Sequence, residues 1–414
     1  MGYMRGGTIL RIDLESGKIV KEATTDYAKD WLGGRGLNSR ILYRETDPAV
    51  KPLDPANVLM FSLGPFTGTM VPGSGRVEVA AKSPVIGIQG MGNMGGYWGP
   101  ELKYAGYDSI IVKGKAANPV YIAIQNDAVE IKDAAHLWGL DTYQTQDAIR
   151  RELGDPEIEV VCIGPAGENM IGYASIQTRM GNAAGRTGMG TVMGSKSLKA
   201  IAVRGTKGVA IAEPDKFFEL CLEALQVQKP QLGMAKTIDL ADNDPPSWGL
   251  TLGNYEATEW EMQKELKDGH KPFWESHKNR QGEGITGCFN CQVRCMDYYE
   301  LPEWGPLVAS CNLYASTTWV LKDPDMKSWY AFVSKCQRQG VDSTSASRMI
   351  AWAMELYEQG KITQKDTDGI ELNWGNKEAI ALVLDKIIKK EGFGAVLGSN
   401  PAEAARTIGG GVEE

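Results

Sequence analysis

Short runs of alternating apolar and polar residues, separated by glycine-bearing turns, fill the first half of the chain. "TILRIDL" (8–14) alternates with period two, and a Gly-Lys turn leads into "KIVKEAT" (18–24), which predicts a β-hairpin. The pattern recurs in "NVLMFSLG", "GRVEVAAKS", "DSIIVKG", "VYIAIQNDAVEIKD", "IEVVCIG" and "KAIAVRG", and most of the 49 glycines precede residue 206. After residue 206 the apolar spacing lengthens to the helical period. "PDKFFELCLEALQ" (214–226) puts Phe217, Phe218, Cys221, Leu222 and Leu225 on one helix face. "DMKSWYAFVSKCQRQG", "SASRMIAWAMELYEQG" and "NKEAIALVLDKIIKKEG" each run helically to a glycine, at Gly340, Gly360 and Gly392, a common helix stop. The pattern therefore predicts an α+β chain: a β-rich domain over 1–206, then a mostly α-helical domain over 207–414. The polar stretch 230–285 gives no clear periodicity.

Composition narrows the function. The 414 residues carry a net charge of −8 and a pI near 5.3, which disfavours nucleic acid as a partner, since phosphate contacts need a basic face. No apolar run approaches the roughly 20 residues that span a bilayer, and the N-terminus enters a strand pattern directly, so no membrane insertion and a cytoplasmic location are expected. Seven cysteines against three histidines point away from a secreted disulfide framework.

Three of those cysteines are bunched in "GCFNCQVRC" (287–295), where Cys288, Cys291 and Cys295 form a C-x2-C-x3-C run. Soft thiolates at this spacing suit a [4Fe–4S] cluster or, alternatively, zinc. Zinc sites more often pair two C-x2-C units or add nearby histidines, and His136, His270 and His277 have no such spacing to the run. A cubane needs a fourth ligand, and nothing in the sequence marks Cys162, Cys221, Cys311 or Cys336 for that role.

Three glycine-rich loops lie in the first half. "LGPFTGTMVPGSGRVEVAAKSP" carries Arg76, "MGNMGGYWGPELKYAGYDSIIVKGK" carries Asn93, Gly95 and Gly96, and "GNAAGRTGMGTVMGSKSLKAIAVRG" carries Asn182, Ala183, Gly185 and Arg186. Glycine backbone can approach an anionic ligand closely and aim N–H groups at it. "GRTGMG" has the wrong glycine order for a dinucleotide fingerprint.

Together with the cysteine run, these loops resemble the tungsten-containing aldehyde ferredoxin oxidoreductase family. The segments "WLGGRGLNSRILY", "GPFTGT", "GGYWGPELKYAGYD", "IGPAGEN", "GTVMGSKSLKAIAV", "CFNCQVRC" and "AMELYEQGKI" follow its pattern in order. The resemblance implies a saddle-like first domain of two β-sheets carrying tungsten or molybdenum on a bis-molybdopterin cofactor. It implies that Arg76, Asn93, Gly95, Gly96, Asn182, Ala183, Gly185 and Arg186 line the pterins, joined by Gly340 and Asp342 from a turn in the second domain. Backbone carbonyls of Asn93 and Ala183 would hold a magnesium ion, and Cys288, Cys291 and Cys295 would supply three cluster ligands.

The chain departs from the family pattern in four places. The family's third domain, which brings the fourth cluster ligand, is expected to be absent here or supplied by a second chain. Asn182 stands where an arginine is usual, and Gln337 where the second-domain turn has its first aspartate. Cys311 falls at or next to the position of a metal-proximal glutamate, with Glu303 the nearest upstream carboxylate, so Cys311 and Glu303 are the candidate catalytic residues. A cysteine there resembles the active-site subunit of class II benzoyl-CoA reductase, which makes Cys311 a candidate tungsten ligand. Ala331 and the region of Leu382 replace an iron-binding pair found at some family dimer interfaces, so no such iron is expected.

The resemblance implies an oxidoreductase that converts aldehydes to carboxylic acids, with ferredoxin or an Fe–S electron-transfer subunit as acceptor, working as an oligomer. The alternatives are reduction of an aromatic acyl-CoA, or a cofactor-holding electron-transfer subunit without turnover of its own.

Overall fold

A computed structural model describes residues 3–236, 284–292, 294, 296–309, 317, 320–323 and 325–412. The alternating segments form two six-stranded mixed sheets. The first runs β2 (Lys18–Ala23), β1 (Thr8–Asp13), β6 (Tyr107–Lys113), β3 (Leu59–Leu63), β4 (Val77–Lys82), β5 (Gln89–Met94). The second runs β11 (Asn182–Ala184), β10 (Ile176–Thr178), β9 (Glu159–Cys162), β12 (Leu198–Arg204), β7 (Val120–Gln125), β8 (Ala128–Asp133). Each sheet has one parallel pairing, β1 with β6 and β12 with β7. The other pairings are antiparallel, including the hairpin read from the Gly-Lys turn.

Central strands such as β3 are buried at every position, so they read as continuous apolar runs, while edge strand β2 is largely exposed and charged. Leu10, Phe61, Val79 and Ile110 of the first sheet share one core with Ile122, Val161, Ile176 and Ile201 of the second. Trp98 links them: its ring packs 5.5 Å from Phe61, and its indole N–H donates to the Ile201 carbonyl at 3.0 Å. Burying charge requires a partner. Lys103 accordingly meets Asp108 at 2.6 Å, and Lys199 meets Glu168.

The second half is helical. Helices Met326–Gln339, Ser343–Glu358 and Lys377–Lys389 open on Asp325, Asp342 and Asn376, whose side chains each accept a first-turn backbone N–H. Ile350, Met354, Val383, Leu384 and Ile387 make a second core that also takes in Ile171 and Tyr173 from the β-rich half. A three-stranded antiparallel sheet flanks the cysteine loop, with β13 (Gly284–Thr286) before it and β14 (Met296–Leu301) and β15 (Gly305–Ala309) after it.

Two details differ from the sequence reading. In helix Pro214–Lys236, Cys221 is buried, but Phe218 and Leu222 are exposed, so the predicted apolar face is narrower. The helix expected to stop at Gly392 ends at Lys389 with Lys390 in the left-handed conformation, and Gly392 instead opens the next helix, Gly392–Leu397. Helix Ser343–Glu358 ends as expected: Gly360 follows the C-cap Gln359 in the left-handed conformation.

Candidate cofactor site

The site lies where the two sheets meet edge to edge. β5 ends one sheet and β11 ends the other. Gly92 lets them touch: a Cβ there would stand 2.9 Å from the Ala184 Cβ and 3.1 Å from its Cα. The approach brings their sequence neighbours, Asn93 and Ala183, to the two sides of one seam. The Asn93 side chain is tied back, its amide donating to Glu78 Oε2 at 2.9 Å across the β4–β5 pairing. Arg35 holds the other Glu78 oxygen at 3.2 Å. This bond orients the Asn93 side chain toward Glu78 and leaves the Asn93 backbone at the seam.

The cysteine loop closes one end. The Phe289 N–H donates to the Gly96 carbonyl at 3.1 Å, and the Gly73 N–H donates to the Asn290 carbonyl at 2.7 Å. The Asn290 amide donates to the Met70 and Val71 carbonyls at 2.7 and 3.1 Å. The Phe289 ring sits edge-on to Tyr97 and Tyr104, with centroids 6.0 and 6.4 Å away. These contacts pin a tight turn in which the Cys291 N–H donates to the Cys288 carbonyl at 3.1 Å. Cys288 and Cys291 are unpaired and half-buried. Cys288 Sγ fills the space a Cβ on Gly95 would need, and its thiol donates to Asn182 Oδ1 at 3.5 Å. Cys295 and Cys311 lie outside the described residues. Among the described residues, no group of three or more His, Cys, Asp or Glu is placed to hold a metal.

The second-domain turn forms the remaining wall. Gly340 caps its helix in the left-handed conformation, and its carbonyl accepts from the Ser175 N–H at 2.9 Å. Two residues on, the Asp342 N–H donates to the Tyr173 carbonyl at 3.2 Å, and its carboxylate occupies the space beside Gly185. Arg76 and Arg186 are exposed on the loops that flank the seam. Gln337 fastens the turn: it donates to the Val308 carbonyl at 2.7 Å and accepts from the Tyr143 hydroxyl at 2.9 Å. Of the other cysteines, Cys162 and Cys336 are fully buried; burial pushes the Cys162 thiol up to about 12 and Cys336 well above its ordinary value, so both stay protonated core residues.

These residues suit a large anionic metallocofactor beside an iron–sulfur cluster. Two thiols on a pinned turn are soft donors. Glycine backbone and two free-standing arginines are what phosphate-bearing ligands require.

Residues 9–205 match the family model described as the aldehyde ferredoxin oxidoreductase N-terminal domain, and residues 228–414 match the model described as domains 2 and 3 of the same enzyme. The chain belongs to the aldehyde ferredoxin oxidoreductase family. It is 37% identical to the tungsten-containing aldehyde ferredoxin oxidoreductase of Pyrococcus furiosus, over 98% of this chain and 68% of that one. It is 31% identical, over 98% of this chain and 68% of the relative, to a subunit of an aliphatic sulfonate oxidoreductase from the same organism, described as WOR-like. A chain in the solved active-site complex of benzoyl coenzyme A reductase with 1,5-dienoyl-CoA superposes with a TM-score of 0.88 at 33% identity, over 100% of this chain and 64% of that one. The chain thus spans about two thirds of the length of these relatives.

Of the residues expected from the sequence, this family member brings Asn93, Gly95, Gly96, Asn182, Ala183, Gly185, Asp342, Cys288 and Cys291 to one seam. Glu303 is not among them. It is exposed in the turn joining β14 to β15, about 17 Å along β14 from its cysteine-loop end. Glu78 and Phe289 escaped the sequence reading. Glu78 was visible as a carboxylate inside an apolar strand, a position that demands partners. Phe289 carried no such signal. Among the described residues, no helix is long and apolar enough to cross a membrane.

Proposed function

We propose that this chain holds a tungsten (or molybdenum) bis-pterin centre and a [4Fe–4S] cluster in an enzyme that oxidises aldehydes to carboxylic acids with a ferredoxin-type acceptor. The observation that carries the reading is the meeting of Cys288 with Gly95 and Asn182 at the β5–β11 seam, which puts a thiol beside the glycine-lined loops. When bound, the metal would exchange an electron pair with substrate and the cluster would pass electrons on singly.

The chain's own residues divide the work. Cys288, Cys291 and Cys295 hold the cluster. Arg76 and Arg186 neutralise the cofactor's phosphates, and Asn93 and Ala183 offer backbone carbonyls to a magnesium ion. Gly95, Gly96, Asn182, Gly185, Gly340 and Asp342 shape the walls. Cys311 is the candidate metal ligand, and Glu303 has no role in this scheme.

A second reading, reduction of an aromatic acyl-CoA, is favoured by the structural likeness to the benzoyl coenzyme A reductase complex and by Cys311. One assay separates them. The full chain, purified without oxygen together with any accompanying subunit, is offered crotonaldehyde or dienoyl-CoA with viologen as acceptor. Crotonaldehyde oxidation alone is expected, and oxidation of dienoyl-CoA alone would transfer the assignment to the second reading. Turnover of neither, with iron and pterin retained, would leave a cofactor-holding subunit.

A further inference from the structure

Asn182 occupies an unusual place. It is 9% exposed, opens the three-residue strand β11, and faces the sulfur of Cys288 at 3.5 Å. Backbone of Gly95 and Gly96 packs against the same amide: a Cβ on Gly95 would lie 3.2 Å from Asn182 Oδ1, and one on Gly96 would lie 3.6 Å from its Nδ2. The amide is therefore held, nearly buried, between a cysteine loop and a glycine turn.

The direction of the hydrogen bond matters. With Cys288 as a thiol, S–H donates to the amide oxygen. A metal-bound sulfur is a thiolate and has no proton to give. An oxygen facing it would then be repelled, whereas the amide nitrogen, at the other end of the same planar group, can donate. The two ends are interchangeable by a half-turn, and their assignment follows from the partner's protonation. We propose that Asn182 is a positioning residue that donates an amide N–H to the Cys288 thiolate and thereby raises the reduction potential of the cluster. The inference rests on the functional reading above. A donor to a ligand sulfur stabilises the reduced cluster, which carries one more negative charge, and the effect is larger where water is scarce. Because Ala183 is the next residue of β11 after Asn182, the same strand would touch both the cluster loop and the pterin wall.

The test uses the full chain with its accompanying subunits, purified without oxygen. Asn182→Leu removes the donor at nearly constant size, and Asn182→Asp replaces it with a negative charge. Both variants should keep wild-type iron and sulfide but show a lower midpoint potential in an EPR-monitored titration, with Asp lower than Leu. An unchanged potential with the cluster intact would overturn the inference and leave the functional reading standing. Wild-type protein without iron and sulfide would overturn the functional reading itself. Should the variants fail to assemble, wild-type protein labelled with 15N-asparagine decides: a hyperfine coupling between one asparagine nitrogen and the reduced cluster is expected, and its absence overturns the inference.

Discussion

Gly92→Ala probes the seam directly. The new methyl would meet the Ala184 Cβ at 2.9 Å and the Ala184 Cα and carbonyl carbon at 3.1 Å. Carbon atoms prefer roughly 3.5–4.0 Å, so at least about half an ångström must be found. Neither strand yields easily, because β5 is bonded along six residue pairs to β4, and β11 is bonded to β10. Opening the seam is the remaining way out, and overpacking of this kind costs about 1–3 kcal/mol. It would also part Asn93 from Ala183, the two sides of the proposed pterin and magnesium wall. The assay is thermal unfolding by circular dichroism, together with tungsten and pterin content per chain. A folded protein of lower melting temperature that has lost most of its tungsten and pterin is expected. Gly208→Ala, where a Cβ meets nothing within 4 Å, is the control and should keep both. Wild-type tungsten and an unchanged melting temperature in Gly92→Ala would refute the argument that this contact shapes the site.

Further expectations follow from buried polar groups. Gln337→Leu leaves the Val308 carbonyl and the Tyr143 hydroxyl without their partner, a loss of about 1–3 kcal/mol that denaturant titration should read, with faster proteolysis of the 296–309 hairpin. Asp108→Asn strands the Lys103 ammonium in the core and should cost about 3–5 kcal/mol in the same titration. Burial opposes ionisation of Asp108, but Lys103 and the Gly6 and Gly7 amides outweigh it and hold the carboxyl below its ordinary value of 3.8. Its stabilisation is therefore full above that value and lost as pH falls through the lower folded one, and the variant should lack this acid slope. Lys196 behaves oppositely. Burial, helped by Lys113, lowers its ammonium to about 8 from 10.5, so stability should rise by about 3 kcal/mol as pH climbs between those values. Lys196→Met should flatten that rise in pH-dependent unfolding.

The β-rich half was legible because period-two alternation and glycine turns are local signals, and β1, β2, β7 and β8 fall where that alternation runs. Helix stops were less so. Gly392 looked like the end of "NKEAIALVLDKIIKKEG", yet Lys390 takes the left-handed cap and Gly392 begins a new helix, with its Phe393 N–H donating to Asp368 at 2.8 Å. Sequence shows a residue that permits a turn, not the distant aspartate that claims it. The apolar face of helix Pro214–Lys236 was overdrawn for the same reason, since spacing does not say what Phe218 will pack against. At the site, the glycines announced close approach, but not that Gly92 would meet Ala184 or that Gly95 would meet Cys288, nearly two hundred residues away. Glu78 as the anchor of Asn93 depends on the β4–β5 register, which no local pattern sets.

The most direct measurement is elemental and sulfide analysis of the protein purified without oxygen, together with whatever subunit accompanies it. About four iron atoms, matching sulfide, one tungsten or molybdenum and pterin per complete unit are expected, with the brown absorbance of iron–sulfide. Colourless protein that carries zinc at the cysteine loop and no iron would contradict the account.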